Sequence, residues 1–79
     1  MRRLIVGHKD LNTYLKVAQI WLAEDKVIRI VGGGRQIKKA VDLLELLKRN
    51  VELREISITT RTVQLEVNRV SVIDIEVAI

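Results

Sequence analysis

Residues 27–49 constrain this 79-residue chain more than any other stretch. Val27-Ile28-Arg29-Ile30-Val31 reads as a strand, Gly32-Gly33-Gly34 breaks it, and an apolar pattern of helical period begins at Arg35 and runs to about Arg49. The chain therefore passes from strand to tight loop to helix. Glycine admits positive φ and close approach of a partner to the backbone, and the first turn of the following helix presents unpaired N–H groups at the positive end of its dipole. Such a turn attracts anions. Arg35, Lys38 and Lys39 crowd the same turn, where positive charge opposes the dipole, so a phosphate-bearing partner explains them better than helix stability does. The alternative is a sharp turn carrying solvated lysines. The loop lacks the Gly-Lys-Ser/Thr of nucleotide hydrolases, and Ile37 stands where a dinucleotide fingerprint needs its third glycine.

On the N-terminal side, Arg3 to Val6 reads as a short strand, Gly7-His8-Lys9 as a turn, and Asp10 as the N-cap of a helix reaching about Ala23. Leu11, Tyr14, Leu15, Ala18, Trp21 and Leu22 share one face of that helix, with the two aromatics read as core residues whose polar tips reach the rim. The second helix is apolar around much more of its circumference. Leu43, Leu46 and Leu47 exceed what one sheet buries and are assigned to a dimer surface, the alternative being a deeper protomer core. Beyond Asn50-Val51 the pattern alternates, giving two long antiparallel strands with the turn inside Leu65 to Arg69 and Asn68 its best turn former. The apolar phase slips between Val72 and Ile73, which predicts either a β-bulge or an exchange of faces there, and a hairpin projecting as an arm with Arg61 and Arg69. The order is βαβαββ: an α/β two-layer sandwich with a four-stranded mixed sheet and two helices on one face.

At 79 residues one small domain is expected, near the size where a single core is marginal and a partner subunit helps. Hydrophobic residues make up 48% of the chain and charged ones 30%, which excludes disorder. The absence of cysteine and the single histidine exclude disulfides, ordinary zinc sites and Cys/His nucleophilic pairs, so no cofactor or metal is expected. Asp42 and Glu45 lie one helical turn apart but read as a solvated face, and His8 has no assignable acidic neighbour, so no enzyme is expected. No apolar run has membrane-spanning length and Gly7-His8-Lys9-Asp10 interrupts the N-terminal one, so the expected location is cytoplasmic, without a membrane or small-molecule partner. The abundance of Ile, Val, Arg, Lys and Glu is a thermophile-like composition.

Charge is unevenly spread. The net charge is +4, with nine basic against three acidic side chains in residues 1–39 and five against seven in residues 40–79. Since Lys and Arg contacts to phosphate supply most sequence-independent affinity for nucleic acid, a basic half containing both helix starts points to duplex DNA or RNA. Two aromatic residues are too few for a surface on which unpaired bases stack.

Ile5-Val6-Gly7-His8-Lys9 followed by Tyr14, then Gly34 to Asp42, then Arg69-Val70-Ser71 before an alternating strand, together resemble the Alba family of small archaeal chromatin proteins. The middle segment carries most of the resemblance, matching an approximate Arg-Gly-Arg-x-Ile-x-Lys-Ala-Val-Asp pattern from Gly34 onward. The resemblance implies a chromosome-associated dimer in which the turns before both helices and the hairpin arms grip DNA or RNA. It assigns nucleic-acid contacts to Lys9, Arg35 and Lys39; with the basic pattern, His8, Gly34, Lys38, Arg61 and Arg69 complete the candidate set. His8 replaces a lysine of the family pattern and Gly33 an arginine, so a dimer would have a slope of log affinity against log salt smaller by up to about four. A second expectation is a protein-interaction subunit of a ribonucleoprotein, or a heterodimer with a paralogue.

Overall fold

The structure is a computed structural model that describes residues 1–79. Four strands and two helices follow in the order β1 (Arg2–Ile5), α1 (Leu11–Asp25), β2 (Val27–Gly33), α2 (Ile37–Asn50), β3 (Glu55–Gln64) and β4 (Arg69–Ala78), with a 3₁₀ turn at Gly34–Gln36 ahead of α2. The sheet runs β1-β2-β4-β3. β1 lies parallel to β2, whereas β4 is antiparallel to both β2 and β3. Alternation places Leu4, Ile28, Ile30, Ile73, Ile75 and Val77 on one face, where they meet Tyr14, Ala18 and Leu22 of α1 and Ala40, Leu43, Leu44 and Leu47 of α2 in one buried cluster. This is the mixed-sheet, two-helix sandwich expected from the sequence. Neither helix is long and apolar enough to cross a membrane.

Helix α1 starts where Asp10 accepts from Thr13 N–H at 2.9 Å and ends at Lys26, a residue with φ 70° whose N–H donates to Leu22 O at 2.9 Å. The glycine run divides differently from the sequence pattern. Gly32 and Gly33 belong to β2, paired with Ile73 and Val72, and only Gly34 turns, at φ +57°. A Cβ on Gly32 would lie 2.7 Å from Gln36 O and 2.8 Å from the Ala40 methyl, so the close approach that requires glycine is by the protein's own helix.

One expectation needs correcting. Leu43 and Leu47 are fully buried because α2 packs on both α1 and the sheet, so these two leucines form protomer core and not a dimer surface, while Leu46 is half-buried outside that cluster. Of the two readings of the slip at Val72-Ile73, the bulge does not form and the exchange of faces holds. β4 pairs continuously with β3 from Arg69 to Ala78, and the apolar slip marks where the strand leaves the helices: Ile73 faces the core, while Val70 and Val72 lie on the open face. Beyond that level the hairpin runs free and stretches the molecule to 39 Å. Its four-residue turn is closed by Leu65 N–H donating to Asn68 O at 2.8 Å, and Gln64 Nε2 donates to Leu65 O at 2.9 Å.

Candidate nucleic-acid interface

Because β1 and β2 are parallel, the loops that leave them emerge at the same end of the sheet, each leading into a helix. The Gly7–Lys9 loop and the Gly34–Gln36 turn therefore sit side by side, with His8 Nδ1 3.5 Å from Gln36 Nε2. The hairpin leaves from the same end, since Val72 pairs with Gly33 and a Cβ on Gly34 would contact Val70 at 3.6 Å. Loop, turn and hairpin base form one continuous surface.

The cations on it differ in what holds them. Lys38 Nζ donates to Asp42 at 3.0 Å one helical turn on, a pair on the exposed face of α2. Lys39 Nζ donates to Gly7 O at 3.1 Å and Lys9 O at 2.6 Å, and lies 5.9 Å from the centre of the Tyr14 ring. Both lysines thus have protein partners that offset their unfavourable place at the positive end of the helix dipole. Arg35 and Lys9 have none: both are exposed, and neither side chain makes a hydrogen bond or salt bridge. The 3₁₀ turn before α2 has no side-chain cap and no acidic residue in the first turn, so no side chain takes up its backbone N–H groups beside Arg35.

The two helix starts are not equivalent. At α1 the Asp10 carboxylate already occupies the dipole end, and the Thr13 backbone N–H above all holds its pKa below the usual carboxylate range; desolvation opposes this, and the Thr13 hydroxyl, Asn12 N–H and Lys16 add to the lowering. At this end the Thr13 N–H is taken by Asp10, and the free cation beside it is the Lys9 side chain. A carboxyl whose pKa is lowered on folding stabilises the fold fully above its unfolded value and loses that contribution as pH falls through the folded value. Asp10→Ala is accordingly expected to lower Tm at neutral pH, with the difference from the parent shrinking as acid titration, followed by circular dichroism, passes below the ordinary carboxylate range.

The hairpin cations are separated. Arg61 pairs with Val72 and Arg69 with Gln64, so by alternation Arg61 lies on the open face of the sheet and Arg69 on the helix side. Arg69 Nε also donates to Gln64 Oε1 at 2.9 Å, which fixes it along the arm. At the tip Val67 is 91% exposed beside half-exposed Leu65, so the end of the arm presents two apolar side chains among exposed Glu66 and Asn68. No surface ring is available for stacking: Tyr14 is buried and Arg2 lies over Trp21 at 5.4 Å.

Sequence reasoning missed two features here. One is the enclosure of Lys39 by the Gly7–Lys9 loop, whose only sequence signal was a tyrosine one turn into α1. The other is the Arg29 cluster on the open face, where Asp74 and Glu76 stand at 3.1 and 3.4 Å.

The Alba family model matches residues 4–64. Among solved structures, Alba from Thermoplasma volcanium is 27% identical with a TM-score of 0.77, covering 98% of this chain and 99% of that one. ALBA1 from Trypanosoma brucei is 21% identical with a TM-score of 0.76, covering 96% of this chain and 67% of that one, a likeness of fold. No curated protein matches. With the family model spanning most of the sequence and the sandwich reproduced over nearly all of it, this chain belongs to the Alba family, a nucleic-acid-binding fold.

Proposed function

We propose that this protein binds duplex DNA or RNA through phosphates, without reading sequence, as a dimer that associates with the chromosome or packages RNA inside the cell. The observation that carries this is the pair of unpartnered cations, Lys9 and Arg35, on adjacent loops beside an uncapped helix start. Phosphate oxygens accept from Arg in bidentate fashion and from Lys as a point charge. Base edges are not read in this reading, since the projecting element is a hairpin whose turn, Leu65 to Asn68, carries no arginine or glutamine to pair with them. Supporting contacts come from Lys38, His8 and the hairpin arginines.

The dimer surface in this proposal moves from the leucines of α2 to Val41, Ile56 and Ile58, which are 37%, 41% and 52% exposed. Ile56 and Ile58 pair with Val77 and Ile75, so they continue the core face of the sheet onto edge strand β3, where no helix covers them. A second copy, or a paralogous chain, would cover this face and the open strand edge together.

Titration of matched DNA and RNA duplexes at several salt concentrations tests the proposal. Arg35→Ala is expected to weaken binding to both and to reduce the slope of log affinity against log salt by about 0.9 for each protomer engaged. Unchanged affinity for both duplexes at moderate salt would overturn it. Light scattering on Ile58→Lys, which should fall to protomer mass, tests the dimer surface separately.

A further inference from the structure

Residues Gly7 and Lys9 carry four backbone polar groups, and two side chains from different helices bind all of them. Tyr14 Oη, on α1, accepts from Gly7 N–H at 2.7 Å and from Lys9 N–H at 3.3 Å. Lys39 Nζ, on α2, donates to Gly7 O at 3.1 Å and to Lys9 O at 2.6 Å. The ammonium also lies 5.9 Å from the Tyr14 ring centre, so ring and hydroxyl of one tyrosine serve both halves of the arrangement. An ammonium has three N–H donors, and two are used here on carbonyls. Binding a phosphate through Lys39 would require giving up at least part of that set, leaving carbonyls of a tight loop unpartnered.

We propose that Lys39 is a positioning residue and not a phosphate ligand: with Tyr14 it clasps the Gly7–Lys9 backbone and so aims Lys9 and His8 beside Arg35. The clasp spans the interval between the two helices, tying the first basic loop to the second. The four groups it satisfies otherwise depend on water, and a loop left to water samples many backbone states, each carrying Lys9 elsewhere. Affinity then falls because the Lys9 charge must be ordered on binding, although it is still present.

The existence of the clasp stands on geometry alone, whereas its role in binding rests on the function proposed above. Two measurements keep the two apart. In the first, the free, full-length protein is treated with a low dose of an acetylating reagent and each lysine's labelling rate is read by mass spectrometry. Lys39 is expected to react about tenfold or more slowly than Lys9 and Lys38, before any nucleic acid is added. Labelling at the rate of Lys9, or protection that appears only with duplex present, overturns the clasp.

In the second, Lys39→Met and Lys9→Met are titrated with duplex DNA across salt concentrations. Lys9→Met should reduce the log–log slope by about 0.9 per protomer engaged, whereas Lys39→Met should weaken binding at every salt with the slope nearly unchanged. Tyr14→Phe, which removes no charge and keeps the ring in the core, should behave as Lys39→Met does. A slope loss for Lys39→Met equal to that of Lys9→Met makes Lys39 a ligand and overturns the proposal. If Lys39 is protected yet Lys9→Met changes neither affinity nor slope, the clasp exists but its role in binding falls, whereas the nucleic-acid function itself falls only if Arg35→Ala is silent as well.

Discussion

Leu43→Ala is expected to destabilise the protomer by about 2–5 kcal/mol, the range for removing a fully buried leucine, and to lower Tm by at least about 10 °C. Leu43 has no exposed surface and sits in the cluster where α2 meets α1 and the sheet, so truncation opens a cavity that three elements cannot close together. Ile58→Lys, at a 52% exposed site, is expected to leave the isolated protomer within about 0.5 kcal/mol of the parent while removing the concentration dependence of Tm that a dimer confers. Chemical denaturation at two protein concentrations distinguishes the pair. Were Leu43→Ala to dissociate a dimer without unfolding the protomer, the placing of this leucine in the core would be wrong.

Gly32→Ala is expected to cost about 1–3 kcal/mol or more, and the neighbouring Gly33→Ala almost nothing. The Gly32 methyl would meet a backbone carbonyl oxygen at 2.7 Å and the Ala40 methyl at 2.8 Å, neither of which can rotate aside, so the whole start of α2 must shift away from β2. At Gly33 the nearest atom is Val72 Cγ2 at 3.7 Å, an ordinary contact, and the backbone is extended with φ −116°. Gly34→Ala stands between them, because φ +57° costs a side chain about 1–2 kcal/mol with no clash. Since Arg35 lies in the turn that Gly32→Ala displaces, this variant should also weaken duplex binding more than its stability loss alone accounts for. Equal thermal stability for Gly32→Ala and Gly33→Ala would show that α2 does not press on β2 at Gly32.

Much of the candidate site was legible in the chain because its signals are local. Asp10 before an apolar run marks the start of α1, glycine next to a basic turn marks the start of α2, and Asn68 inside an alternating stretch marks the hairpin turn. The errors fell where identity depends on a neighbour distant in sequence. The leucine-rich circumference of α2 looked excessive only while α1 was left out as a packing partner. The Val72-Ile73 slip left a bulge and an exchange of faces equally open, because only the pairing of β4 with β3 shows that no residue is extra. Lys38 and Lys39 looked alike in the pattern, yet one pairs locally with Asp42 and the other crosses to a loop thirty residues earlier.

The sequence by itself determined the element order, the two-layer architecture, the family and the concentration of positive charge in residues 1–39, because periodicity, turn chemistry and charge are properties of neighbours along the chain. Only the tertiary structure decided which cations are free to meet a phosphate, which leucines are core, and which isoleucines face solvent. The reason is competition for partners. A lysine, a carbonyl or a methyl group is satisfied by whatever the fold brings within a few ångströms, and that proximity is set by how two helices and four strands pack, not by the order in which their residues are written.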